Sequence, residues 1–399
     1  LIQRIVTLAA WFIAGVLIIF TVRRWLFTLL ALLPDNPPSP PTPTRPDLPV
    51  LLLAPIRNEA PILPEFLAHL AALAYPEGQL VIVLINDGST DGTEPLLQQW
   101  AQERSNRHVL SLSQNVGKAQ ALNMALAQFP QGEVVAIYDA DERPRPDALA
   151  ILAAPFRDSQ VGGVSGRRAV SNALASPAAS YTTFEGLVHQ VITMRAKDRL
   201  NLAPAILGAN CAYRRTALAQ VGNFQAGALL EDSDLTLKLA GAGWNIRFVA
   251  PALSYHTVPE SVTGYWRQHT RWARGFNEVA KQQAGSTLAN PHLPWLLRLE
   301  LLVFAAGYLD RLALLAGVVL AGLDRRVRVW LGRVIGLSLL TPFLQMMAAL
   351  LIEGAPFKLW LQLIWLPAFF GLDIAMAVSG MGATLKQAPQ IWEERRTRH

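Results

Sequence analysis

Leu80-Val81-Ile82-Val83-Leu84-Ile85-Asn86-Asp87-Gly88-Ser89-Thr90-Asp91-Gly92 decides how the middle of this chain folds. A short β-branched apolar run reads as a strand, and it ends in a carboxylate followed by turn residues. The pattern recurs on both sides of it. Strands are expected at Val50 to Pro55, Leu80 to Asn86, His108 to Leu112, Glu133 to Asp139 and Val161 to Val170. Helical stretches fall between them at Ile62 to Ala74, Thr93 to Glu103, Gly117 to Phe129 and Asp147 to Ala154. Strands alternating with helices make a doubly wound α/β domain, whose ligands sit beyond the carboxyl ends of the strands. The acidic motifs fall at those ends.

Asp87 taken alone is better explained as a turn former or helix cap than by chemistry. The next strand leads into Asp139-Ala140-Asp141-Glu142. Two carboxylates one residue apart can hold a divalent cation that also binds a diphosphate, because Mg²⁺ or Mn²⁺ prefers oxygen ligands and keeps positions open for phosphates. A third acidic group, Glu231-Asp232-Ser233-Asp234, opens a helical pattern. It suits a helix N-terminus, and it also offers a general base for an attacking hydroxyl.

The sharpest local signal is Gln268-His269-Thr270-Arg271-Trp272-Ala273-Arg274-Gly275. On a helix Gln268, Arg271 and Trp272 share one face, where a guanidinium can bind a diphosphate and an indole can stack on a sugar. The same segment, with Tyr265 and Trp266, also reads as an amphipathic helix at the lipid surface. His189, His256 and His269 lack metal-ligand spacing and read as structural.

Composition places this unit beside a membrane. Of the 399 residues 52% are hydrophobic and the mean hydropathy is +0.27, above what a soluble domain needs. The net charge of +6 is not gathered in a basic run with interleaved aromatics, so nucleic acid is not expected as a partner. A single cysteine, Cys211, excludes an internal disulfide and suits a reducing compartment.

Ile5 to Val22 is apolar and closed by Arg23 and Arg24, which reads as a membrane-crossing helix ending in the cytoplasm. A signal peptide would carry its charges before the apolar run and a cleavage pattern after it. Three further apolar stretches run over Leu301 to Leu323, Val334 to Ile352 and Leu359 to Met381. The first contains Asp310 and Arg311, costly in lipid unless paired or facing a polar path. The expected organisation is a membrane helix over 1–33, a Pro-rich linker over 34–49 and a cytoplasmic unit over 50–256. Interfacial helices over 257–294, membrane helices over 295–385 and a basic tail over 386–399 complete it.

Asp87-Gly88-Ser89, Asp139-Ala140-Asp141, Glu231-Asp232 and Gln268-x-x-Arg271-Trp272 occur in the order seen in membrane-integrated processive family 2 glycosyltransferases. The chain resembles the cellulose, hyaluronan, chitin and poly-N-acetylglucosamine synthase group over roughly Val50 to Val279. The resemblance implies a GT-A-like mixed sheet domain with transmembrane and interfacial helices, and a metal-assisted, inverting transfer from a UDP-sugar at the cytoplasmic face of the plasma membrane. By the same resemblance Glu59 and Asp87 would contact the uridine, with Lys118 and Asp139 at the nucleotide. Asp141 would hold Mg²⁺ or Mn²⁺, Asp232 would be the base and Arg271 would offset charge on the departing UDP. Gln268, Trp272, Asn210 and Cys211 would form the acceptor side. One membrane helix before the catalytic unit and three after depart from the usual synthase count. Lipid glycosyltransferases share these motifs, so a glycan or a lipid acceptor is expected, and the oligomeric state is not legible.

Overall fold

The structure, a computed structural model, describes residues 2–34, 48–228, 230–291 and 293–385, so most of the expected linker and the whole basic tail lie outside the described residues. Among the described residues eight strands form one sheet: β1 (Val50–Ile56), β2 (Leu80–Asp87), β3 (Arg107–Leu112), β4 (Val134–Ile137), β5 (Arg143–Pro144), β6 (Val161–Val170), β7 (Cys211–Arg214) and β8 (Asn245–His256), in the order β3-β2-β1-β4-β7-β6-β8-β5. The helices of the sheet domain are preceded by α1 (Ile2–Leu32) and comprise α2 (Leu63–Ala71), α3 (Thr93–Ala101), α4 (Lys118–Gln128), α5 (Ala148–Ala153), α6 (Pro177–Leu187), α7 (Arg195–Arg199), α8 (Arg215–Gln220) and α9 (Glu231–Gly241). After them come α10 (Val262–Ala289), α11 (Trp295–Ala305), α12 (Leu309–Leu323), α13 (Arg325–Glu353), α14 (Phe357–Leu361) and α15 (Leu366–Leu385).

The mixed, GT-A-like α/β sheet matches the expected class. Its central strands are buried on both faces, which is why they read as unbroken apolar runs. Leu51, Leu53, Val83, Ile85 and Val135 share one core with Leu122 and Leu235, while Leu52, Ala54, Ile82, Leu84 and Val134 share another with Phe66, Leu97 and Leu149. Each fully buried side chain of this size contributes about 1.5–3 kcal/mol relative to exposure.

Strands β7 and β8 were not expected. Four residues ending in a buried arginine give β7 no hydropathic signature. In β8 the pairing with β6 jumps from Gly166–Val249 to Arg167–Leu253, so a bulge around Pro251 interrupts the period. Yet β7 matters most to the site. It runs antiparallel to β4 with Ile137 opposite Cys211, so it begins where β4 ends. The turn at Gly208–Asn210 is thereby delivered to the same sheet edge as Asp139.

Among the described residues three helices are long and apolar enough to cross a membrane: Gln3–Leu32, Arg325–Glu353 and Phe357–Gly382. The expected continuous helix over Leu301 to Leu323 is instead broken, with α11 and α12 meeting at 69°. Asp310 and Arg311 sit just past that break. Asp310 accepts a hydrogen bond from Arg24 of α1 and lies 3.2 Å from Arg311, which lies 3.6 Å from Asp373 of α15. The two charges therefore brace helices against one another, as buried charges in an apolar setting must.

The sheet domain is docked onto this bundle. Glu300 of α11 lies 2.5 Å from Arg23 and 3.4 Å from Lys197 of α7. Beside that cluster Phe27 and Ala31 pack with Ile192, Ala196 and Ala349.

Candidate active site

The carboxyl edge of the parallel strands is built by loops that lock into one another. After β1, Asn58 Oδ1 accepts from the Thr90 backbone N–H at 2.8 Å, and the Glu59 N–H donates to Thr93 Oγ1 at 3.1 Å. After β2, the Asp87 carboxylate accepts the N–H groups of Val116 and Gly117 at 2.7 and 3.0 Å, pinning the loop that leads into α4. Asp87 thus performs the turn-forming task at the carboxyl edge of the sheet, with half-buried Glu59 on the neighbouring loop.

Gly88 makes that approach possible. Its φ is +64°, and a Cβ there would stand 2.5 Å from the backbone of Gln114 and Asn115. Gly88→Ala is therefore expected to destabilise the fold by about 1–3 kcal/mol, read as a lower Tm of the purified protein. An unchanged Tm would mean that the two loops are not in register.

Because Asp87 fixes the α4 N-terminus, Lys118 projects across the edge. Its Nζ lies 2.7 Å from Asp139 Oδ1, donates to the Gly208 carbonyl at 2.9 Å and lies 3.5 Å from Glu231. Burial works against the charge on Lys118, but Asp139 and Glu231 outweigh it and hold its pKa above the ordinary lysine value. Asp139 comes from a tight turn closed by the Glu142 N–H to the Asp139 carbonyl at 3.0 Å, and the same turn presents half-buried Asp141. Glu142 itself is fully buried against Arg168 at 2.5 Å, and burial pushes its carboxyl up to about 7 despite that arginine.

Asp232, in the first turn of α9, closes the cluster. An ideal Cβ on Gly208 would stand 2.9 Å from Asp232 Oδ2, so this glycine, at φ +71°, admits the carboxylate beside β7. Burial first, then the neighbouring Glu231, raise the Asp232 pKa to about 7, while Lys118 opposes the rise. A carboxylate with that pKa is matched to proton abstraction near neutral pH.

Helix α10 begins at its cap, Ser261, whose Oγ accepts the Gly264 N–H at 3.0 Å. It is tied to α9 by Gln283, which donates to Asp234 Oδ1 at 2.7 Å. Gln268 and Trp272 are half buried, with Trp272 packed on the core that contains Cys211 and Tyr213, whereas Arg271 is exposed. The buried Gln268 Oε1 has no hydrogen-bond partner among the described residues.

The structure thus gathers Lys118, Asp139, Glu231 and Asp232 around the Gly208 carbonyl and sets α10 against the adjoining helix. Asn210 has a different surrounding from the one expected of an acceptor contact. It is fully buried, and its amide nitrogen donates to the carbonyls of Arg167 and Ala252 at 2.8 Å each, tying β6 to β8. Cys211 is also fully buried, and burial pushes its thiol up to about 12, which keeps it neutral. Glu142 and Arg168 were given no role by the sequence, and only the adjacency of Glu142 to Asp141 hinted at either.

Among the described residues no three His, Cys, Asp or Glu side chains converge as a cation cage. The turn at Asp139 to Asp141 supplies oxygen donors of the type that Mg²⁺ or Mn²⁺ takes, with Asp139 already bonded to Lys118. Such a donor set fits a hard cation that draws its remaining oxygens from a diphosphate and water.

A family described as glycosyltransferase like family 2 matches residues 46–275, which span β1 to the middle of α10 and hold every residue of this cluster. The chain belongs to that family. This family 2 glycosyltransferase is 31% identical over 230 residues to a probable glycosyltransferase of Bacillus subtilis, YdaM, covering 57% of this chain and 54% of the relative. It is 29% identical over 238 residues to the poly-β-1,6-N-acetyl-D-glucosamine synthase of Staphylococcus aureus, covering 59% of this chain and 57% of that enzyme. The match thus covers little more than half the length of these relatives. A solved mannosyltransferase of Pyrobaculum calidifontis, in complex with GDP-mannose and Mn²⁺, shares the fold over 98% of this chain and 100% of its own, at 21% identity and a TM-score of 0.65.

Proposed function

We propose that this family 2 glycosyltransferase is a processive polysaccharide synthase that moves a sugar, with inversion, from a UDP-sugar to a growing glycan at the cytoplasmic face of the plasma membrane. The observation that carries the reading is the half-buried Asp232 carboxylate, raised to about 7, beside Lys118, Asp139 and Glu231 at the mouth of the sheet. Similarity to a polysaccharide synthase and the apolar helices that flank the sheet domain support the acceptor class and the membrane setting. In this reading the cytoplasmic unit covers 50–256, residues 257–294 lie at the interface and 295–385 are embedded.

Glu59 and Asp87 would flank the uridine, and Asp139 the nucleotide. Lys118 would neutralise the carboxylates that surround the diphosphate. Asp141 would hold Mg²⁺ or Mn²⁺, whose chemistry there is to offset diphosphate charge. The acceptor hydroxyl gives its proton to Asp232 as its oxygen bonds to the anomeric carbon. The bond from that carbon to the β-phosphate oxygen breaks, and UDP leaves with the electron pair. Arg271 would offset charge on the departing diphosphate, a task that suits a guanidinium. Gln268 and Trp272 would hold the acceptor sugar over a floor shaped by Asn210 and Cys211.

The test is a screen of UDP-sugars with the purified full chain in Mg²⁺ or Mn²⁺ and sizing of the product. A lengthening ladder of sugars is expected. One or two sugars on a ceramide- or diacylglycerol-type lipid would replace the synthase reading with a glycolipid synthase. Asp141→Ala is expected to weaken UDP binding about tenfold or more in the presence of the cation and to leave the metal-free value unchanged. If the metal dependence of binding survives the substitution, Asp141 is not a ligand.

A further inference from the structure

Between Gln268 and Arg271, α10 carries a histidine to which the roles above give no task. His269 is only 4% exposed. Its Nε2 lies 2.9 Å from Glu185 Oε2 on α6, and its Nδ1 lies 3.0 Å from the Tyr265 carbonyl oxygen. A carboxylate and a carbonyl both accept hydrogen bonds, so the two contacts are met together when both ring nitrogens donate, as they do in the imidazolium. Burial opposes that charge, but Glu185 outweighs it and holds the pKa above the ordinary histidine value.

The charged ring is clamped between two others. Tyr265 stacks on it with centroids 3.9 Å apart, and Trp272 meets it edge-on at 4.7 Å and 62°. Tyr265 is held in turn, because its hydroxyl donates to Asp373 Oδ1 at 2.6 Å while Tyr181 donates to Asp373 Oδ2 at 2.9 Å. The indole therefore rests on a ring that cannot turn without breaking an ion pair, and that ring rests on a tyrosine fastened to α15. Bonds of this kind supply the angular precision that packing alone lacks.

We propose that Glu185 and His269 are positioning residues that fix the indole plane of Trp272 at the acceptor end of the site, and that Tyr265 and Asp373 carry that mount onto the membrane helices. The proposal rests on the reading of Trp272 as an acceptor contact. Displacing the mount would loosen the hold on the acceptor sugar and leave the nucleotide contacts on the sheet unchanged.

The experiment uses the full chain in nanodiscs, labelled with 5-fluorotryptophan, with the Trp272 resonance identified by its loss in Trp272→Phe. His269→Phe keeps an aromatic ring but removes the ion pair, and Glu185→Gln keeps the shape but removes the charge. Both are expected to shift or broaden the Trp272 resonance and leave the other tryptophan signals in place. UDP affinity in Mn²⁺, measured by calorimetry, should stay within about twofold, because the ion pair joins α10 to α6 and bonds to none of Lys118, Asp139, Glu231 or Asp232. With UDP-N-acetylglucosamine as donor, the acceptor KM should rise about tenfold in both variants, and the double variant should be no worse than either single one. An unchanged Trp272 signal in both variants overturns the proposal. Should Trp272→Phe itself leave transfer and acceptor KM unaltered, the acceptor reading of Trp272 fails instead, whatever the resonance does.

Discussion

Asp232→Asn is expected to lower the transfer rate by about 10²–10⁴-fold and to leave UDP affinity within a few-fold of wild type. The amide keeps the size of the side chain, so it still fits the space left by Gly208 and can still accept the Ser233 N–H that Asp232 Oδ1 takes at 2.7 Å. What it loses is the ability to receive a proton. The wild-type enzyme should also show an acidic limb, because the folded-state pKa of Asp232 is raised to about 7. Below that value the carboxyl is protonated and cannot act as base, so kcat/KM should fall about tenfold per pH unit as pH decreases. Above it the rate should level off. In Asp232→Asn the limb should vanish together with most of the rate. A loss of UDP affinity in proportion to the loss of rate would remove Asp232 from the chemical step and place it in nucleotide binding.

Lys118→Met is expected to move that acidic limb to higher pH. Lys118 is the cation that holds the Asp232 pKa down, against the burial and the Glu231 charge that push it up. Methionine fills a similar volume and removes the charge, which leaves Asp139, Glu231 and Asp232 without their nearest cation. More of the base is then protonated at neutral pH. Activity at pH 7 should fall by at least about tenfold and should recover in part when the pH is raised by one to two units. The partial recovery separates two roles for Lys118. A lysine that served only as a nucleotide contact would, when removed, raise the donor KM at every pH and leave the limb where it was.

The two substitutions probe one arrangement from opposite sides, and the sequence disclosed its parts unequally. Strands β1, β2 and β4 could be read because both faces of each are covered, so hydropathy runs unbroken and turn residues mark the ends. Asp87, Asp139 and Asp141 could be placed at the sheet edge for the same reason. Strand β7 was silent, since Cys211–Arg214 has too few apolar residues to show a period, and β8 was masked by the bulge around Pro251. The consequence is specific. Without β7 nothing in the chain says that Gly208, 90 residues after Lys118, brings its carbonyl within 2.9 Å of that side chain.

Asp310 and Arg311 show the same division inside the apolar helices. Their cost in an apolar run was evident from residue type alone, whereas their solution, a 69° break and partners on α1 and α15, required three helices to be in place. His269 is a similar case, since metal spacing was the only functional test the sequence offered for it. Its pairing with Glu185, 84 residues earlier, is invisible to any local pattern.

By itself the sequence determined the α/β winding, the edge on which the carboxylates stand and the presence of apolar helices on either side, because each depends on periodicity within about ten to twenty residues. Only the tertiary structure decided which carboxylate is raised toward neutrality, which glycine makes room for it and what holds Trp272 in place. Those properties come from charges and contacts between segments far apart in the chain, and a pKa or a ring orientation is set by neighbours in space, whatever the order in which the chain supplies them.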